Sequence, residues 1–207
     1  MAKLPNAVVA GAEELACRDT VFKRALAQYG VPELRRRRGP YFAALCEMIC
    51  YQQLAGKAAA AIHGRFEALF DGAVTAPATL GIPMEALRGA GLSGAKATSI
   101  LDLATKVEEG LVELDRVARL PDDEVVRELV LVRGIGEWTA HMFLMSQLGR
   151  LDVWPTLDLG VRMGYARLFG LAEPPTSKEL VPLGDRFHPY RSLVASWCWR
   201  AVDTTVP

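Results

Sequence analysis

Two groups of residues in this sequence could do chemistry, and both lie between Leu129 and Gly170. The first is Gly134-Ile135-Gly136, where two glycines bracket one apolar residue between two helical patterns. Such a pair can make a tight turn with positive φ and leave backbone N–H groups uncovered. Bare amides at the start of a helix are a phosphate seat. The second is Asp158. Pro155 and Thr156 are helix-start signals with Thr156 as candidate N-cap, which puts Asp158 in the first turn of the next helix. There the helix dipole favours the ionised carboxylate. A phosphate cradle with a charged carboxylate nearby suits chemistry on a nucleotide.

Helices must position these groups, because no stretch alternates apolar and polar residues and helical spacing recurs throughout. The expected fold class is all-α. A helix is expected from about Ala12 to Gln28, with Leu15, Val21, Phe22, Leu26 and Tyr29 as core positions. The stretch from Tyr41 to Phe70 reads as two helices meeting around Gln52 to Gly56, with Phe66, Leu69 and Phe70 packed inward. Met84 to Arg88 is a brief helix, and Gly89 to Gly94 a glycine-rich turn before a helix from about Ala95 to Glu109. That turn lacks P-loop spacing and has no strand before it, which argues against a nucleoside-triphosphate site. Asp122-Asp123-Glu124 supplies an acidic start for the segment leading into the glycine pair.

With 207 residues and 51% hydrophobic content the chain can bury a good core as one domain or two small lobes. The 24 Lys and Arg balance the 24 Asp and Glu, so net charge offers no argument for nucleic acid, although a local basic face can coexist with zero net charge. Arg35 to Arg38 reads either as a solvated surface loop or as a phosphate-contacting arm. Cys17, Cys46, Cys50 and Cys198 show neither a disulfide framework nor paired C-x-x-C spacing, and Cys46 and Cys50 read as buried free thiols of a reducing compartment. His63, His141 and His188 lack metal-ligand spacing and read as structural. No run is long enough to cross a membrane and no signal peptide is evident, so the expected location is cytoplasmic, nucleoid-associated if the protein acts on DNA.

Four blocks in order carry a family resemblance: Tyr51-Gln52-Gln53-Leu54-Ala55-Gly56-Lys57-Ala58-Ala59, Gly134-Ile135-Gly136-Glu137-Trp138-Thr139-Ala140, Asp158-Leu159-Gly160-Val161-Arg162 and Pro189-Tyr190-Arg191-Ser192. Together they resemble the helix-hairpin-helix DNA glycosylase superfamily, and within it the alkylpurine branch, the 3-methyladenine DNA glycosylase II family. The resemblance implies two helical lobes with the active site in the cleft between them and no N-terminal β domain. Lobe A is expected over roughly 1–50 plus 150–207, and lobe B over roughly 51–149 with the hairpin at 129–145. It further implies that double-stranded DNA containing damaged bases is the partner, that the base is flipped out, and that the protein is a monomer.

The residue roles follow from the same resemblance. Asp158 is the catalytic residue, since an ionised carboxylate below the sugar stabilises positive charge as the base departs and can orient or deprotonate a water. A cationic alkylated base is already a good leaving group, so recognition falls to aromatic faces. Trp138, Trp199, Met142 and Leu159 are assigned to the base pocket, while Trp154 and Trp197 are as readily core residues. Gln53 and Leu54 are assigned to the wedge and minor groove, where an apolar side chain fills the gap left by the extruded base. Without the resemblance, Leu54 reads as core and the glutamines as helix caps. Gly134, Ile135, Gly136 and Thr139 are assigned to phosphate at the hairpin. Ser93 and Lys96 are further candidate phosphate contacts, though an exposed lysine on a turn is the commoner meaning.

Bifunctional relatives carry a Schiff-base lysine two residues after the second hairpin glycine, and Trp138 stands there instead, which implies a glycosylase without lyase activity. No cofactor is expected for catalysis and no iron–sulfur cluster. A Na or K ion on the main-chain carbonyls of Val130, Val132 and Ile135 is implied, with Arg133 standing where many relatives have proline. Asp152 reads as a loop cap. Two other readings stay open: a glycosylase for an etheno, deaminated or mispaired base, and a catalytically idle helix-hairpin-helix protein that senses DNA damage.

Overall fold

The computed structural model describes residues 5–34 and 36–202, and among these every regular element is helical. Arg35, the first of the four arginines, lies outside the described residues. The chain divides into two compact units, one joining the segment up to Arg37 with that from Leu144 onward, the other running from Arg38 to Phe143. The expected lobes had their boundaries near residues 50 and 150; the helix that ends at Tyr51 instead belongs to the second unit, because it packs on two helices of that unit.

The first unit holds α1 (Asn6–Arg18), α2 (Thr20–Tyr29), a π turn (Leu144–Leu148), α10 (Leu159–Phe169), α11 (Ser177–Leu183) and α12 (Arg191–Ala201). The single helix expected over Ala12 to Gln28 is two, because Asp19 adopts extended backbone and its carboxylate accepts from the Val21 amide, capping α2. Phe22 stacks on Trp197 at 5.7 Å and meets Phe187 edge-on at 5.2 Å. Trp154 and Trp197 are core residues, their indoles donating to the Leu180 and Gly30 carbonyls. Arg36 Nε donates to the Gln147 carbonyl and the Arg37 amide to that of Ser146, so this part of the arginine run satisfies carbonyls of the π turn.

In this unit α10 and α12 touch backbone to backbone. A Cβ at Gly164 would lie 2.0 Å from the Cys198 carbonyl oxygen, so only glycine permits the approach. Cys198 is buried at this crossing. Burial, and then the negative charge of Asp158, push its thiol pKa up.

The second unit holds α3 (Tyr41–Tyr51), α4 (Gly56–Glu67), α5 (Ala76–Leu80), α6 (Met84–Gly89), α7 (Gly94–Glu108), α8 (Asp122–Leu129) and α9 (Glu137–Phe143). The expected break between two helices near Gln52 falls at residues 52–55. Ser93 caps α7, which forms the centre against which α3, α5 and α6 pack. Cys46 and Cys50 lie buried on α3; burial raises both thiols, that of Cys50 to about 12.

Candidate active site

Asp158 is the N-cap of α10, one position before the first turn, and its own carboxylate does the capping that Thr156 was expected to do. Thr156 instead donates its amide to the Trp154 carbonyl inside the preceding turn. Asp158 Oδ1 accepts from the Val161 amide at 2.8 Å and from the Trp199 indole at 2.9 Å. The carboxylate is therefore addressed by the positive end of a helix and by a buried N–H whose ring cannot swing away. Trp199 is only 1% exposed. Expected as a wall with a face for the base, it is instead a support whose edge meets the carboxylate.

Two devices bring Trp199 to Asp158. One is the Gly160 and Gly164 spacing: a Cβ at Gly160 would sit 2.9 Å from Trp199 Cδ1 and 3.1 Å from Asp158 Oδ1, so the indole occupies the space a side chain would need. The other acts at the opposite end of α12. Ser192, fully buried, accepts from the Val153 amide at 2.9 Å and donates to the Arg150 carbonyl at 2.8 Å. Its own amide donates to the Leu151 carbonyl. Asp152, read from the sequence as a loop cap, accepts from the Arg191 guanidinium and amide and meets His188 Nδ1 at 2.6 Å. Helix α12 thus holds the loop before Asp158 with Arg191 and Ser192, and Asp158 itself with Trp199. The Pro189-Tyr190-Arg191-Ser192 block singled out in the sequence contributes this fastening.

In the second unit the glycine pair makes the expected hairpin between α8 and α9. Gly134 takes φ +80°, and a Cβ there would meet Ser99 Oγ at 2.4 Å, so the turn is pressed onto α7. Asp102, also on α7, accepts the Arg133 amide at 2.7 Å while pairing with Lys106. Burial alone would raise the Asp102 pKa; the bonds from Lys106 and the Arg133 amide more than offset it, and the carboxyl ends below the ordinary value. The Ile135 amide donates to the Val132 carbonyl at 3.1 Å, so it closes the hairpin and is not the bare donor expected. Gly136 accepts the first bond of α9, from Ala140, so the hairpin leads directly into that helix. Thr139 is buried within its first turn.

The turn between α3 and α4 leaves Leu54 40% exposed, where a wedge must be, and Gln53 exposed beside it. Gln52 is the residue that sequence reading missed: its side-chain amide donates to the Gly134 carbonyl at 3.0 Å and to the Thr139 hydroxyl at 3.4 Å. Two adjacent glutamines carry no signal in sequence that would say which faces inward. Lys96, expected as a phosphate contact, has its ammonium on the carbonyls of Cys50 and Gln52 at 2.8 and 2.7 Å. Its partner in that expectation, Ser93, accepts the Lys96 amide as the helix cap. Of the remaining residues assigned to the pocket, Trp138 is half-buried, Met142 buried and Leu159 59% exposed.

Comparison with known proteins decides what such a hairpin and carboxylate belong to. Residues 46–183 match the HhH-GPD superfamily of base excision DNA repair proteins. The chain belongs to this superfamily. It is 32% identical over 169 residues to DNA-3-methyladenine glycosylase 1 of Schizosaccharomyces pombe, covering 79% of this chain and 74% of that protein. Among solved structures, it is similar to the S. pombe 3-methyladenine DNA glycosylase in complex with abasic DNA, with TM-score 0.82, 28% identity and coverage of 96% and 98% of the two chains. It is likewise similar to a DNA-3-methyladenine glycosidase of Bacillus halodurans, with TM-score 0.85, 33% identity and coverage of 94% and 89%. The superfamily's matched span contains both the hairpin and Asp158. No helix among the described residues is long and apolar enough to cross a membrane.

Proposed function

We propose that this chain is a monofunctional DNA glycosylase that flips alkylated purines, such as 3-methyladenine or 7-methylguanine, out of double-stranded DNA and hydrolyses their N-glycosidic bond, starting base excision repair. The observation that carries this reading is Asp158, an N-cap carboxylate held by the Val161 amide and the Trp199 indole, in a chain of a base excision repair superfamily.

The chemistry needs no cofactor. As the bond from the sugar C1′ to the purine nitrogen breaks, its electron pair goes to the base, which is already cationic and leaves neutral. Positive charge builds on the sugar, and the Asp158 carboxylate stabilises it. Water adds to C1′ and yields its proton to the carboxylate and then to solvent, leaving an abasic site. Trp138 at the position of the Schiff-base lysine removes the amine that strand cleavage by elimination would need. The hairpin and the first turn of α9 hold the phosphate backbone. The carbonyls of Val130, Val132 and Ile135 would hold a monovalent cation that adds positive charge for a phosphate; that of Val132 keeps a second lone pair beyond the bond it accepts from Ile135.

The test is release of free base from methylated duplex at neutral pH, with strand breaks followed before and after alkali. Base release with breaks appearing only after alkali is the expected result. Asp158→Asn, which keeps shape and removes charge, should abolish release while sparing affinity for abasic-analogue duplex. Release by that variant at the wild-type rate would refute the assignment, and release of another lesion alone would move the substrate.

A further inference from the structure

Among the described residues, Gln53 is the one residue other than glycine with a positive φ, at +56°. Such backbone persists where its surroundings over-determine it, and the turn that contains it carries Leu54. The Lys96 ammonium donates to the carbonyls of Cys50 and Gln52, fastening the carboxyl end of α3 where helix carbonyls lack partners. The Leu54 amide closes the turn on the Tyr51 carbonyl at 3.4 Å. The Gln52 side chain ties the turn to the Gly134 carbonyl and to Thr139. The hairpin is itself fixed to α7 by Ser99 and Asp102. Lys96, Ser99 and Asp102 recur every third residue, so one side of α7 holds the turn and the hairpin in a set relation.

We propose that Gln52 and Lys96 are positioning residues for base extrusion: they lock the turn so that Leu54 stands at a fixed height beside the phosphate-holding hairpin before DNA arrives. The proposal rests on the glycosylase reading for its biological meaning. Physically it says that the ordering entropy of the wedge is met in folding and does not subtract from binding. It also separates the two glutamines: Gln52 faces the protein, and Gln53, exposed next to Leu54, is the one presented to the minor groove.

The test is a double-mutant cycle on Leu54. Gln52→Leu and Lys96→Met each remove a polar end and keep the stem. Affinity is measured for an abasic-analogue duplex, together with single-turnover release of 7-methylguanine from duplex. Each single variant should lose about tenfold in affinity, as should Leu54→Ala. In the Leu54→Ala background the added loss from Gln52→Leu should vanish, because there is no wedge left to position. Losses that multiply, or Gln52→Leu binding as wild type, overturn the proposal. Gln52→Leu lies on a half-exposed turn and keeps the cycle readable should Lys96→Met fail to fold. If wild type releases no alkylated base, the glycosylase reading fails while the affinity cycle still decides the positioning role.

Discussion

Replacing Gly160 by alanine perturbs the contact between Trp199 and Asp158, the proposed catalytic carboxylate, without deleting any atom of it. The new Cβ would lie 2.9 Å from Trp199 Cδ1, 3.3 Å from its Nε1 and 3.1 Å from Asp158 Oδ1. Carbon atoms settle at about 3.5–4.0 Å, so the indole must retreat by roughly half an ångström or more. Trp199 is buried, and its retreat stretches the 2.9 Å bond to Asp158 out of effective range. A hydrogen bond to a charged group is worth about 1.5–3 kcal/mol. Lost from the transition state, that slows base release by roughly 10- to 150-fold. Stability should respond differently: alanine in a helix gains up to about 1 kcal/mol over glycine, while crowding costs about 1–3 kcal/mol. The assay is single-turnover release of 7-methylguanine from duplex beside urea unfolding of the same variant. Gly64→Ala on α4, where a Cβ meets nothing within 4 Å, is the control expected to keep the wild-type rate. A Gly160→Ala protein that releases base at the wild-type rate would refute the claim that the indole contact serves catalysis.

Ser192→Ala removes a buried hydroxyl that serves the Val153 amide and the Arg150 carbonyl, and should cost about 1–3 kcal/mol in urea unfolding; a smaller change than Gly64→Ala would show that the loop is fastened elsewhere. Asp102 has a lowered folded pKa, so its contribution is present above the unfolded value of about 3.9 and is lost as pH falls through the lower folded one. The stability difference between wild type and Asp102→Asn should therefore be constant near neutrality and shrink below about pH 4, and a difference independent of pH would exclude the carboxylate charge as the anchor of Arg133.

The sequence made the hairpin and the carboxylate legible because both are signalled locally, by glycines around one apolar residue and by a proline-led helix start before an acid. Most helices were legible for the same reason, and the exception is instructive. Asp19 sits in a pattern with helical period on both sides, and only its capping geometry divides α1 from α2. Long-range partners were not legible. Trp199 is 41 positions from Asp158 and Gln52 is 82 from Gly134, and neither side chain's direction follows from its neighbours in sequence. The meaning of the Gly160 and Gly164 spacing likewise depends on Cys198 and Trp199 lying across it. Lys96 was misread because a lysine near a glycine-rich turn resembles a phosphate ligand until the end of α3 is seen beneath it.

The buried thiols acquire a meaning when set beside the lesions the protein is proposed to remove. Alkylating agents attack nucleophiles, and a cysteine is vulnerable as its thiolate. With the Cys50 pKa at about 12, roughly one molecule in 10⁵ carries that thiolate at neutral pH. Cys46 and Cys198 are raised as well, the latter by burial and then by the negative charge of Asp158. A repair protein must work in the presence of the reagent that made its substrate, and burial both raises these three thiols and keeps them out of its reach. At the crossing of α10 and α12 burial does this first, and the negative charge of Asp158 adds to it.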